Sequence, residues 1–234
     1  MSMIPSAFLR ALEGQSLSVS PAQLEQLAAY VAYLEEVNQH LNLTAVRETE
    51  AIWHRHILDS LQLLEWIKAD PDQRALDLGS GGGLPGIPLA ICRPDVAWVL
   101  VDSVQKKARF LESCAVRLGL KQVTVRSERA EVLGQDPAFR EQFHLLTARA
   151  VARLPTLLEL TVPLLRVRGR FLAMKGAQAG QEVTESRRAM ERLHVRLQHE
   201  RPTEAGGCLL VFKKTEPTPG KYPRAIGIPG KEPL

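Results

Sequence analysis

Asp77-Leu78-Gly79-Ser80-Gly81-Gly82-Gly83 sets four glycines within five residues directly after a short apolar run, and Asp102 follows behind a second such run. A chain that turns sharply at a strand end while a ligand approaches its backbone needs residues without a Cβ. A carboxylate at the end of the next strand, some twenty residues on, is placed to accept both hydroxyls of a ribose. The two features together point to an adenosine-containing cofactor at the switch point of a parallel sheet. Gly81-x-Gly83-x-x-Gly86 satisfies the dinucleotide fingerprint formally but begins two residues too late. Counted from the strand end, Leu84 stands where the third glycine belongs. A Walker loop is excluded, because no Gly-Lys-Ser/Thr follows.

Asp77 ahead of Gly-x-Gly-x-Gly resembles S-adenosylmethionine-dependent methyltransferases, whose cofactor has no pyrophosphate to cradle. Enzymes that methylate exocyclic amines commonly carry Asp/Asn-Pro-Pro-Tyr/Phe after the fourth strand. Here that place reads Thr147-Ala148-Arg149-Ala150. Carbon-5 methylation of pyrimidines needs a cysteine nucleophile, often after Pro or Thr. Cys92, Cys114 and Cys208 follow Ile, Ser and Gly, and are expected to be core or surface thiols. Their spacing offers no C-x-x-C pair for zinc or redox work. His54 and His56, two apart on a helix, cannot face one side, so no metal site is expected. His56 with Ser60, or Arg55 with Asp59, lie one turn apart and line either the pocket or only the core.

The elements that must position these residues are readable from periodicity. Ser20-Pro21-Ala22-Gln23 forms a capping box with Pro at the first helical position, and Leu24, Leu27, Val31, Leu34, Val37 and Leu41 then recur every three or four residues. A second helical pattern covers about 50–67, with Trp53, Ile57, Leu61 and Leu64 on one face, closed by Asp70, Pro71 and Asp72. From residue 74 short apolar runs at 75–78, 97–101, 122–126, 143–147, 169–174, 195–199 and 208–212 alternate with helical stretches at 87–92, 105–118, 154–165 and 181–193. Such alternation implies a mainly parallel sheet covered on both faces. The last two strands lack a helix between them and should be antiparallel. The expected organisation is a helical segment over 1–72, an α/β body over 73–215 and a Pro-rich basic tail over 216–234, extended and not a domain.

At 234 residues, 45% hydrophobic and 24% charged, the composition is that of a globular chain able to bury a core without staples. Residues 1–75 carry five Lys/Arg and ten Asp/Glu, a balance of −5, so the remainder carries +9. A basic body behind an acidic segment suits a polyanion partner. No apolar run reaches the roughly 18 residues that span a bilayer, and the start lacks a signal-peptide pattern. A cytoplasmic, monomeric protein is expected.

The stretch from Asp77 through Leu84-Pro85-Gly86-Ile87-Pro88-Leu89-Ala90-Ile91 resembles the signature loop of the ribosomal RNA small subunit methyltransferase G family, also called glucose-inhibited division protein B. The resemblance continues in Asn42-Leu43-Thr44-Ala45, in Arg55-His56-Ile57-Leu58-Asp59-Ser60-Leu61, and in Asp102-Ser103-x-x-Lys106-Lys107-x-x-Phe110-Leu111. Arg149-Ala150, Met174-Lys175-Gly176 and Gly220-Lys221-Tyr222-Pro223-Arg224 also match, so it runs from about residue 38 to the end. Ala148 is a departure, since family members carry Ser before this arginine.

The resemblance implies a class I methyltransferase: a Rossmann-like, seven-stranded, mainly parallel sheet with an N-terminal helical extension. It implies S-adenosylmethionine as cofactor, with contacts at Gly79, Gly81 and Leu84 of the loop, Asp102 and Ser103, Ala130 and Glu131, and Arg149. Glu131 is then the polar end of adenine recognition, or else a solvated helix cap. The implied reaction is N7-methylation of one guanine, position 527, in 16S ribosomal RNA, as naked RNA or within a small-subunit particle. N7 has an in-plane lone pair and no proton to lose, so no catalytic base is required and the protein contributes position. RNA contacts are expected from Asn42, Arg149, Lys175, Lys221 and Arg224, with Tyr222 stacking on a base. Lys231 is a further candidate for phosphate, whereas Lys213 and Lys214 read as solvated surface. A small-molecule methyltransferase and a non-catalytic RNA-binding protein are the alternatives. The basic tail counts against the first, and absence of S-adenosylmethionine binding would favour the second.

Overall fold

The computed structural model describes residues 4–15, 17–67, 72–204 and 206–234. The chain opens with α1 (Ser6–Gly14), α2 (Pro21–Leu41) and α3 (Thr49–Ile52), a π-helical turn (Trp53–Leu58), α4 (Asp59–Leu61) and a 3-10 turn (Gln62–Trp66). Then come β1 (Arg74–Leu78), α5 (Gly86–Cys92), β2 (Ala97–Val101), α6 (Gln105–Arg117), β3 (Val123–Arg126), α7 (Ala130–Leu133), β4 (Phe143–Arg149) and α8 (Leu154–Thr161). A 3-10 turn (Val162–Leu164) leads into β5 (Leu165–Lys175), followed by α9 (Ala179–Glu185), α10 (Arg187–Leu193), β6 (Val195–Pro202), β7 (Cys208–Lys214) and α11 (Ile228–Lys231). The seven strands lie in the order β3-β2-β1-β4-β5-β7-β6. Strands β1 to β5 pair in parallel, while β7 runs antiparallel to β5 and β6. The strand order reverses between β1 and β4, which puts a crevice at their carboxyl ends.

The capping box at α2 forms as expected, with Ser20 Oγ accepting from Gln23 N and Gln23 Oε1 accepting from Ser20 N. The expected single helix over 50–67 is instead interrupted by the π turn, although Trp53, Ile57 and Leu61 still point inward. Its proposed closing residues Asp70 and Pro71 lie outside the described residues. The expected helix 181–193 is two helices, broken at Ser186, whose hydroxyl donates to Glu182 O.

One hydrophobic cluster joins Phe8, Leu27, Tyr30 and Trp53 of the N-terminal helices to Ile87, Trp98 and Leu172 on one sheet face. The other face is covered by α8, α9 and α10, and Tyr222 from the tail packs there too. The tail is therefore not extended. Arg140 donates to the carbonyls of Gly134, Thr218 and Tyr222, and Glu141 Oε1 accepts from Thr218 N. These bonds, with the burial of Tyr222, strap the segment across α7 and α8. Its prolines fix local φ, but the path is set by distant partners that composition does not reveal. Lys214 is likewise no surface lysine: it is fully buried, and its Nζ donates to Glu141 and to the carbonyls of Val162 and Leu165.

Candidate cofactor site

Residues 79–83 close a tight turn at the end of β1. Gly79 N and Ser80 N both donate to Val101 O, at 2.8 and 2.9 Å, and Gly83 N donates to Ser80 O at 2.7 Å. Gly79 and Gly81 have φ of 70° and 56°, the left-handed region that glycine enters at little cost. A Cβ on Gly79 would stand 2.5 Å from Val151 Cγ2. The turn is held from beneath by Asp77, a fully buried carboxylate. Its Oδ1 accepts from Thr147 Oγ1 at 2.7 Å and its Oδ2 from Gly86 N at 3.2 Å. Burial raises its pKa to about 6, against the hydrogen bonds from Thr147, Ser80 and Gly86, which lower it.

Asp102 lies where expected and is engaged with the same turn. Its Oδ2 accepts from Gly81 N at 2.9 Å and its Oδ1 from Val104 N at 2.8 Å. A carboxylate has about four lone-pair sites, so two bonds leave capacity for ribose hydroxyls. Beside it a cleft of about 100 Å³ is lined by Leu78, Gly79, Val101, Ser103, Ala130 and Val151, with Glu128 and Glu131 at its polar side. The apolar walls and carboxylates fit an adenosine, whose base has flat faces and donor groups at its edge.

The structure thus brings Gly79, Asp102, Ser103, Ala130 and Glu131 to one place, with Gly81 tied to Asp102. Leu84 is not among the lining residues: it is 8% exposed and belongs to the core under the loop. Glu131 is buried and its Oε1 accepts from Gly227 N at 3.0 Å, so it also anchors the tail and is no solvated cap.

Arg149 ends β4, one residue beyond the register pair Leu78–Ala148, and so lies beside the glycine turn. Its Nη2 donates to Arg55 O at 2.7 Å, and its Nη1 is 3.7 Å from Asp59 Oδ2. Arg149 Nη1, Asp59 Oδ1 and His56 Nδ1 are buried with no hydrogen-bond partner. His56 Nε2 meets Thr44 Oγ1 at 2.7 Å, and Asn38 Oδ1 accepts from Leu43 N and Thr44 N, which fixes the turn after α2. Burial, with Arg149 nearby, pulls the His56 pKa down to about 4. Burial pushes the Asp59 carboxyl up, against Arg149.

Several expected RNA contacts are otherwise engaged. Lys175 Nζ donates to Ala152 O and pairs with Glu182, both at 2.8 Å, and holds the turn that carries Val151. Arg224 forms a two-pronged pair with the fully buried Glu159, at 2.9 and 2.7 Å. Tyr222 is 3% exposed and has no face free for a base. Asn42 is the left-handed cap of α2, and its Oδ1 accepts from Arg47. Lys221 is exposed. The sequence reading missed Tyr30, whose hydroxyl donates to Gly82 O at 2.6 Å, and Thr147. Tyr30 lies within the helical pattern but outside its apolar repeat, and Thr147 ends a strand pattern, so neither carried a local signal of the turn it supports. Among the described residues no group of three or more His, Cys, Asp or Glu is placed to hold a metal ion, and no helix is long and apolar enough to cross a membrane.

This sheet order, with a glycine turn after β1 and an acid after β2, defines a class I methyltransferase. Solved structures share the fold at low identity. A Corynebacterium glutamicum protein aligns with a TM-score of 0.59 and 16% identity over 90% of this chain and 97% of its own. A 16S rRNA (adenine(1408)-N(1))-methyltransferase from Catenulisporales acidiphilia aligns at 0.53 and 14% identity over 65% and 95%. The family model for rRNA small subunit methyltransferase G matches residues 23–205. A relative of that name from Roseiflexus castenholzii is 45% identical over 97% of this chain and 98% of its own length. One from Streptococcus equi subsp. zooepidemicus is 39% identical over 99% and 100%. The chain belongs to the ribosomal RNA small subunit methyltransferase G family.

Proposed function

We propose that the protein transfers a methyl group from S-adenosylmethionine to N7 of one guanine in 16S ribosomal RNA, as a cytoplasmic monomer. The observation that carries the reading is the glycine turn and Asp102 set beside a cleft with apolar walls and a carboxylate side, with Arg149 one residue away across the strand pair. Bound there, the cofactor would supply an electrophilic methyl group on a sulfonium. Gly79, Ser103, Ala130 and Glu131 would hold its adenine, and Asp102 its ribose.

The chain's part in the reaction is placement. Arg149 Nη1 and Asp59 Oδ1 offer one buried donor and one buried acceptor next to the turn. A guanine presents O6 to a donor and N1–H to an acceptor, so the pair suits its edge. Holding the base in line supplies several kcal/mol of barrier lowering, and N7 needs no proton removed. His56, with a pKa of about 4, is neutral at physiological pH and serves as a partner of Thr44.

The test is transfer of labelled methyl from S-adenosylmethionine to 16S RNA, free or in particles, from cells lacking this chain. Label is expected in that RNA and not in RNA from cells containing the protein. Binding of 16S RNA without cofactor binding would sink the proposal in favour of a non-catalytic RNA-binding protein.

A further inference from the structure

At the opposite end of the sheet from the glycine turn, a cleft of about 210 Å³ is lined by Trp66, Gln73, Arg166, Arg168, Arg170 and Lys213 among others, with no acidic side chain among the described residues of its wall. The strands build it. Between the pairs Phe143–Leu165 and Leu145–Arg170 the β4–β5 register shifts, so that β5 bulges through residues 166–169. Arg168 takes φ 68° there, and Gly169 packs so closely that a Cβ would stand 2.8 Å from Arg166 O. Arg170 pairs with Lys213, and Lys213 with Arg196, in one row across β5, β7 and β6. None of the ion pairs among the described residues engages Arg166, Arg168, Arg170, Arg196 or Lys213.

Two further groups give the cleft a chemical signature. Trp66 Nε1 is a buried donor without a partner, and Gln73, 6% exposed, has an unpartnered Oε1 acceptor. A bare anion would use the cations and the indole N–H but leave the amide oxygen unsatisfied. A ribose 2′-hydroxyl beside a phosphate satisfies it. We infer that this cleft binds the sugar–phosphate backbone of RNA, as a second contact remote from the methyl-transfer site.

The inference rests on the proposed RNA substrate and deepens it. The five residues of β1 from Arg74 to Leu78 separate the two ends by roughly 17 Å at ~3.3 Å per residue. RNA that extends past the target guanine can touch both ends at once.

The experiment compares the wild-type chain with Arg166→Gln/Arg168→Asn/Lys213→Gln in equilibrium binding of 16S RNA across a salt series, alongside S-adenosylhomocysteine affinity and melting temperature. With three phosphate-binding cations removed, at ~0.7 each, the salt slope should fall by about 2, and affinity near 150 mM salt at least tenfold. Cofactor-product affinity and melting temperature should hold. Should the triple variant unfold, the exposed single change Arg166→Gln should still lower the slope by ~0.7. Gln73→Leu should narrow the preference for RNA over DNA of the same sequence. Unchanged slope and affinity in the folded variants would overturn the inference. So would inorganic phosphate competing better than chloride at equal ionic strength while variant RNA binding stays wild-type, the mark of a free-anion site. Because binding is read directly, failure of methyl transfer would sink the proposed reaction and leave this outcome distinct.

Discussion

The Tyr30 hydroxyl, carried by α2, donates to the carbonyl oxygen of Gly82 at 2.6 Å, so the N-terminal helices grip the cofactor turn directly. Burial holds the Tyr30 phenol well above its usual pKa, so it remains a donor at every physiological pH. Gln23 extends the grip, its amide donating to Ile91 O and Cys92 O at the end of α5.

Tyr30→Phe leaves the Gly82 carbonyl unsatisfied in a buried place, at a cost of about 1–3 kcal/mol. Calorimetry with S-adenosylhomocysteine should show weaker binding as the turn loosens. Unchanged affinity and unchanged melting temperature would show that the bond does not shape the turn.

Arg224→Ala removes the partner of Glu159, whose side chain is fully buried, and breaking such a pair costs about 3–5 kcal/mol. Truncation after Thr215 removes this contact and the Tyr222 packing together. Both variants should melt at lower temperature with no RNA present. A truncated chain with wild-type melting and weaker RNA binding would restore the tail as an electrostatic arm.

The glycine turn and Asp102 were legible because their signals are local: missing Cβ atoms at a strand end, and an acid one strand later. The strand and helix pattern was legible for the same reason, since periodicity reports which side of each element is buried. The tail misled, because five prolines and three cations read as an extended basic strip. What folds it back are pairs such as Glu159–Arg224 and Glu131–Gly227, which are 65 and 96 residues apart in sequence. Lys175 misled similarly, since its partner Glu182 sits one element later, on α9. The π turn at Trp53 and the bulge at Arg168 depend on tertiary packing that no short window contains.

Asp77 has a folded-state pKa of about 6 against an ordinary 3.8. Between about pH 4 and 6 the folded chain therefore holds a proton that the unfolded chain has released, and stability falls as pH rises through that window. The full shift is worth about 3 kcal/mol. His56, lowered to about 4, has the opposite slope over about pH 4 to 6.5, so the difference between two proteins is the quantity to read. Denaturant midpoints of the wild type minus those of Asp77→Asn should decline from pH 4 to 6 and then level. A flat difference would mean that Asp77 stays ionised throughout.

The proposed attack by guanine N7 requires no catalytic base, and the decisive measurement is single-turnover methylation of 16S RNA carrying 7-deazaguanine at the target position. The expected outcome is no methyl transfer to that RNA, undiminished RNA binding, and a rate on the guanine substrate with no ascending limb from about pH 6 to 8.5, since His56 is already neutral there. Transfer to the 7-deaza RNA, or a rising limb that His56→Ala abolishes, would contradict base-free attack by N7.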